Sequence, residues 1–205
     1  MTSSEFRELL GRESDVELVG KCLRTDVVPY VFEPRPETWD SFRTEVGAAL
    51  DVSRDDINIV GSGRFGLSLK PGKNLKRFSD KSDIDVIVIN STLFDRFWLA
   101  LLEAAYPREP LAGTVGGWLQ KRRNEVYTGW LTPLQIGIDH RIFGQRAAQV
   151  LTLKARWFNA LKTASRHPPR LHSDVRGRLY RTARHAELYH LSSLAALRRS
   201  LSENL

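Results

Sequence analysis

The sequence predicts an α+β fold, a small mixed β-sheet flanked by helices with a helical C-terminal part. Three observations carry this. Two β-branched runs, "INIV" (57–60) and "DIDVIVI" (83–89), lie in the middle of the chain, and such runs suit strands. Segments with apolar residues at helical spacing lie on both sides of them. The 205 residues and 41% hydrophobic content can fill one core and an appendage. The chain divides into a core with N-terminal helices over 1–145 and a helical extension over 146–205 packed on it.

In order, "TSSEFRELLGR" is a short helix with Ser3 or Ser4 as its N-cap. "DVELVGKCLRTDVVPYVF" reads as helix or extended chain, broken by Pro29. "RPETWDSFRTEVGAAL" is amphipathic, with Pro36 near its start and Trp39, Phe42, Val46 and Leu50 on one face. After the strand 57–60, Gly61-Ser62 opens a helical turn that points Phe65 and Leu69 inward. "LKPGKNLKRFSDKS" is a polar loop, followed by the strand 83–89. "STLFDRFWLALLEAAY" is a helix capped by Ser91 or Thr92, with Phe94, Trp98, Leu101 and Leu102 buried. "TVGGWLQKRRNEVYTGW" is a helix broken near Gly129, and "LTPLQIGIDHRIF" suits a strand. "QRAAQVLTLKARWFNALKTASR" is a long helix stopped by "HPPR", and 174–202 reads as one more long helix.

The formal net charge is +7. Residues 1–60 are on balance acidic; 64–81 and 141–199 carry most of the Arg and Lys. A basic half suits a polyanionic partner, such as nucleic acid or nucleotide phosphates, or simply a solvated Arg-rich surface. The one cysteine, Cys22, allows no intrachain disulfide and reads as a core thiol. No secretory start and no apolar run of membrane length is present. These features predict a soluble cytoplasmic protein with no membrane contact.

The chemistry sits in "GSGRFGLSLKPGKNLKRFSDKSDIDVIVI" (61–89). Residues two apart on a strand share a face, so Asp83 and Asp85 project together, with Cβ atoms roughly 7 Å apart. Two carboxylates this close raise each other's pKa unless a cation neutralises them. Mg²⁺ is commonly held by one or two carboxylates plus substrate phosphates. Upstream, Gly61-Ser62 follows a strand and opens a turn whose free amides suit an anion. A phosphate cradle and a metal pair on adjacent strands complement each other, because the metal bridges the same phosphates.

These residues resemble the core of the DNA polymerase β-like nucleotidyltransferase superfamily, in which a Gly-Ser motif precedes a D-x-D pair. The resemblance is clear over 57–90 and extends less strongly from 36 to 140. It implies a mixed sheet with helices on one side, Mg²⁺ or Mn²⁺, and nucleotidyl transfer from an NTP to a hydroxyl of RNA, protein or nucleotide. Some members belong to toxin–antitoxin or other bacterial defence systems. It further implies that Asp83 and Asp85 bind metal, and that Gly61, Ser62, Gly63, Arg64 and Lys81 face the nucleotide. Lys70, Lys73, Lys76 and Arg77 are further loop cations.

The superfamily also takes a third carboxylate from a neighbouring strand. Asp139 is the leading candidate for it and for catalysis; Glu125 is second. Without a third acid, the domain would bind nucleotide or nucleic acid without transfer. "RHAELYH" matches the R-x₅-H spacing of HEPN ribonuclease domains through Arg184 and His190, although six residues do not bring them onto one helix face. Trp118, Tyr127 and Trp130 offer either an RNA-stacking surface or core rings. Leu179, Leu188, Leu191, Leu194 and Leu197 of the C-terminal helix would pack on the core, on a protein partner or on a second copy.

Overall fold

Two capping boxes open the chain. The Thr2 hydroxyl accepts from the Glu5 amide while Glu5 accepts from the Thr2 N–H, which starts α1 (Ser3–Arg12). Ser14 and Glu17 repeat the arrangement for α2 (Asp15–Cys22). Each box satisfies two donors that a helix start leaves free. The first cap is Thr2, one residue before the predicted serines. The computed structural model describes residues 1–106, 113–165 and 175–203, the side chains of 113–116 excepted.

In α3 (Thr38–Leu50), Trp39, Phe42, Val46 and Leu50 are all buried, as their spacing predicts. Then come β1 (Ile57–Val60), the single turn α4 (Ser62–Phe65), β2 (Ile84–Ile89) and α5 (Ser91–Ala105). Asn90, not Ser91 or Thr92, caps α5 by accepting from the Leu93 amide at 2.8 Å. Its buried stripe runs through Leu93, Phe94, Phe97 and Leu101 and leaves Trp98 and Leu102 exposed, contrary to expectation. The remaining elements are α6 (Gly113–Tyr127), β3 (Trp130–Leu131), α7 (His140–Phe143), α8 (Ala148–Ala164), β4 (Val175–Tyr180) and α9 (Ala183–Ser202).

Two predicted elements differ. The strand expected over 131–143 ends at Leu131; Pro133 opens a 3₁₀ turn, and Asp139 caps α7. The long helix expected over 174–202 begins only at Ala183, and 175–180 are the strand β4. The part of the chain after 145 is therefore not helical throughout. The helix stop expected at 167–170 lies outside the described residues.

The sheet has the order β1-β2-β4-β3. β1 pairs antiparallel with β2, β2 parallel with β4, and β3 antiparallel with β4. One face presents Ile57, Ile59, Ile84, Val86, Val88, Val175 and Leu179, which form the main core with α3, α5 and α8. The other face carries Asn58, Val60, Asp85, Ile87, Arg176, Arg178 and Tyr180. α9 lies over it, placing Ala186 and Tyr189 against Val60, Ile87 and Tyr180.

Further along, α9 packs on the N-terminal helices. Leu194, Leu197 and Leu201 share a cluster with Phe6, Leu10, Leu18 and Val19. Arg198 bonds the Asp15 carboxylate and the carbonyls of Leu10 and Glu13. Leu188, by contrast, is exposed. Among the described residues, no helix is long and apolar enough to cross a membrane.

Candidate active site

The end of β1 and the start of β2 are hydrogen-bonded neighbours, with Val60 opposite Asp85. Gly61 follows at φ +64°, ψ −139°, a conformation that essentially only glycine adopts without strain. A Cβ built on Gly61 would lie 3.4 Å from Asp85 Oδ2. The carboxylate therefore stands against the bare backbone of the turn. Since α4 begins at Ser62, the amides of Ser62 and Gly63 have no acceptor within it.

The Asp85 carboxylate makes no hydrogen bond or ion pair with a described residue. Its surface reaches solvent, yet protein surrounds it closely, and this desolvation is the main cause that raises its carboxyl pKa. The neighbouring Asp83 charge adds to the rise; Arg178, Arg176 and Lys73 oppose it. Asp83 accepts from Arg176 Nη1 at 3.1 Å. Both members of that pair are solvated, so it contributes ~1 kcal/mol or less and exchanges readily. A turn in which the Ser79 amide donates to Ser82 Oγ delivers the chain to Asp83.

Asp85 is flanked by Val60 on β1 and by Arg176 on β4. Two residues further along β4, Arg178 lies over the rings of Trp130 and Tyr189, at 4.9 and 4.1 Å from their centroids. Its Nη1 donates to Tyr180 Oη at 3.4 Å. Sequence reasoning missed both arginines, because β4 was read as helix. Their signal was the alternation of Val175, Gly177 and Leu179 with Arg176, Arg178 and Tyr180.

Other predicted residues fall elsewhere. Arg64 points inward: its Nη1 donates to the Val27 carbonyl at 2.6 Å and its Nη2 to the Lys21 carbonyl at 3.2 Å. It ties the turn to the N-terminal segment, away from the nucleotide-facing position that the resemblance implies. Lys81 is exposed on the turn before Asp83. Asp139 accepts from the Arg141 amide and guanidinium, which lower its pKa. Its neighbours Ile136, Ile138 and Phe143 pack in the main core, on the sheet face opposite Asp85. The structure thus does not bring Asp139 to Asp83 and Asp85. Glu125 is buried on α6 and paired with Arg122 at 2.8 Å. Asp174, two residues before Arg176, lies outside the described residues.

Arg184 is exposed and paired with Glu187 at 3.1 Å. His190 instead packs against Tyr180 and Tyr189, and burial pushes its pKa down to about 4. The R-x₅-H residues do not converge. Trp118 packs on Phe143 and Trp130 on Tyr189, which leaves Tyr127 alone exposed among the three rings. Cys22 is buried, with its thiol pushed up to about 12, so it supplies no reactive thiolate.

Among the described residues, no group of three or more His, Cys, Asp or Glu is placed to hold a metal ion. Asp83 and Asp85 offer two carboxylates on one face. Two such carboxylates are a donor set of the kind that hard cations take together with other oxygen ligands. No protein-family model, curated protein or solved structure matches the chain.

Proposed function

We propose that this chain is a nucleotide-binding protein of the nucleotidyltransferase type. It receives a nucleoside triphosphate with its Mg²⁺ beside the Gly61 turn and Asp85. The observation that carries this reading is the approach of Asp85 to Gly61: a carboxylate without a partner among the described residues, set against a glycine backbone. Gly61 lets a phosphate approach the main chain, and the Ser62 and Gly63 amides donate to it. Asp85, joined by Asp83 when Arg176 releases it, holds the cation. Mg²⁺ would supply charge neutralisation between these carboxylates and the phosphates.

Among the described residues, no third carboxylate joins Asp83 and Asp85, and binding is the first reading for that reason. The position beside Asp85 on β4 is Arg176, whereas the resemblance calls for a carboxylate on a neighbouring strand. An arginine there favours holding phosphate over activating a hydroxyl. Transfer is the second reading, favoured by the placing of the acid pair on β2 beside the Gly61 turn, with Val60 opposite Asp85.

The test is incubation with each α-labelled NTP and Mg²⁺ or Mn²⁺, with and without total RNA, beside equilibrium binding. Saturable binding without pyrophosphate release supports the first reading. Labelled RNA, protein or nucleotide product supports the second. No binding of any NTP overturns both.

A further inference from the structure

We propose that Arg178 anchors the polyphosphate tail of the bound nucleotide, an inference that rests on the nucleotide reading above. The segment "RGR" (176–178) places it. Gly177 faces the main core, where a Cβ would lie 2.6 Å from Trp157 Cζ2 and 2.8 Å from Leu161 Cδ1. Only glycine allows β4 to press this closely on α8, and the pleat then turns both arginines to the Asp85 side. Arg176 is the outer of the two, exposed and paired with Asp83. Arg178 is the inner one, level with Ile87.

Arg178 is more enclosed than Arg176, and no carboxylate of a described residue forms an ion pair with it. A half-buried cation without a counter-anion is costly, and here aromatic faces offset part of that cost. Tyr189 and Trp130 hold the guanidinium plane, and Tyr180 takes Nη1. Nε is enclosed without a partner among the described residues. The side chain is thus fixed before anything binds, which limits the ordering entropy of binding. Its charge also acts on Asp85, and more strongly than those of Arg176 and Lys73. A polyphosphate beside two aspartates needs such a cation, because the carboxylates alone would repel it. Arg178 supplies that charge on the strand next to the acid pair.

The experiment is calorimetric titration of the wild-type chain, Arg178→Gln and Arg178→Lys with MgATP and, separately, with inorganic tripolyphosphate and Mg²⁺. Circular dichroism and thermal unfolding accompany each variant. Wild type is expected to bind both probes. Arg178→Gln should bind each about tenfold to a hundredfold more weakly, the effect of one charge-assisted contact. Arg178→Lys should fall between, since it keeps the charge and loses the planar stack; it carries the comparison if the Gln variant does not fold. Affinities within twofold of wild type in a folded variant overturn the inference and leave the nucleotide reading standing. Failure of the wild type to bind MgATP overturns both.

Discussion

Asp85 Oδ2 lies 3.4 Å from the point where a side chain at Gly61 would begin. The two residues belong to different strand ends, and the Val60–Asp85 pairing sets them side by side. Gly61→Ala therefore meets two obstacles. The backbone at φ +64°, ψ −139° is strained for any other residue, at about 1–3 kcal/mol. The methyl also stands against Asp85 Oδ2. Urea unfolding should show that loss of stability, and NTP binding should weaken with it. An alanine variant as stable as wild type would contradict the backbone assignment.

Asp85→Asn should raise the melting temperature of the ligand-free protein near pH 7. The folded carboxyl pKa is raised, so the folded state disfavours the ionised form relative to the unfolded chain. That penalty is fully present above the folded pKa and vanishes when the charge is removed. A lower melting temperature in Asp85→Asn would mean that the carboxylate is satisfied within the fold.

His190 makes stability sensitive to acid. Its pKa falls from the ordinary 6.5 to about 4 on folding, so the unfolded chain binds the proton more readily. The neutral ring's contribution is complete above about pH 6.5 and is lost as pH falls toward 4. The loss is on the order of 3 kcal/mol. Wild type and His190→Gln should therefore differ in the slope of unfolding free energy between these pH values, the variant being flatter. Equal slopes would place His190 in water.

Arg64→Ala separates a structural arginine from a phosphate ligand. Removing the guanidinium loses its bonds to the carbonyls of Val27 and Lys21 and should cost about 2 kcal/mol of stability. NTP affinity should stay within twofold. A large loss of affinity in a folded Arg64→Ala protein would return Arg64 to the site.

Much of this was legible in the residues. The β-branched runs at 57–60 and 83–89 mark the strands that carry the glycine turn and the acid pair, and the spacing Trp39, Phe42, Val46, Leu50 marks a buried helix face. Other parts obey weaker signals. In β4, two arginines stand on alternate positions, and their charge resembles a solvated helix surface more than a central strand. Thr182, the cap that starts α9 by accepting from the His185 amide, was the clue that the helix begins late. In α5 the stripes through Phe97 and Trp98 are one residue apart, and only the packing partners decide between them. Asp139 failed as a strand residue because Pro133, at the start of a 3₁₀ turn, cannot donate to a sheet ladder.

The most direct measurement is calorimetric titration of ATP into wild type and Asp85→Asn, each with Mg²⁺ and with EDTA. Wild type should bind in Mg²⁺ and lose at least about tenfold in affinity in EDTA, the scale of one lost charge-assisted contact; Asp85→Asn should bind weakly and be indifferent to the cation. Equal binding in all four titrations, or none in wild type with Mg²⁺, would contradict a triphosphate and its cation seated between Gly61 and Asp85.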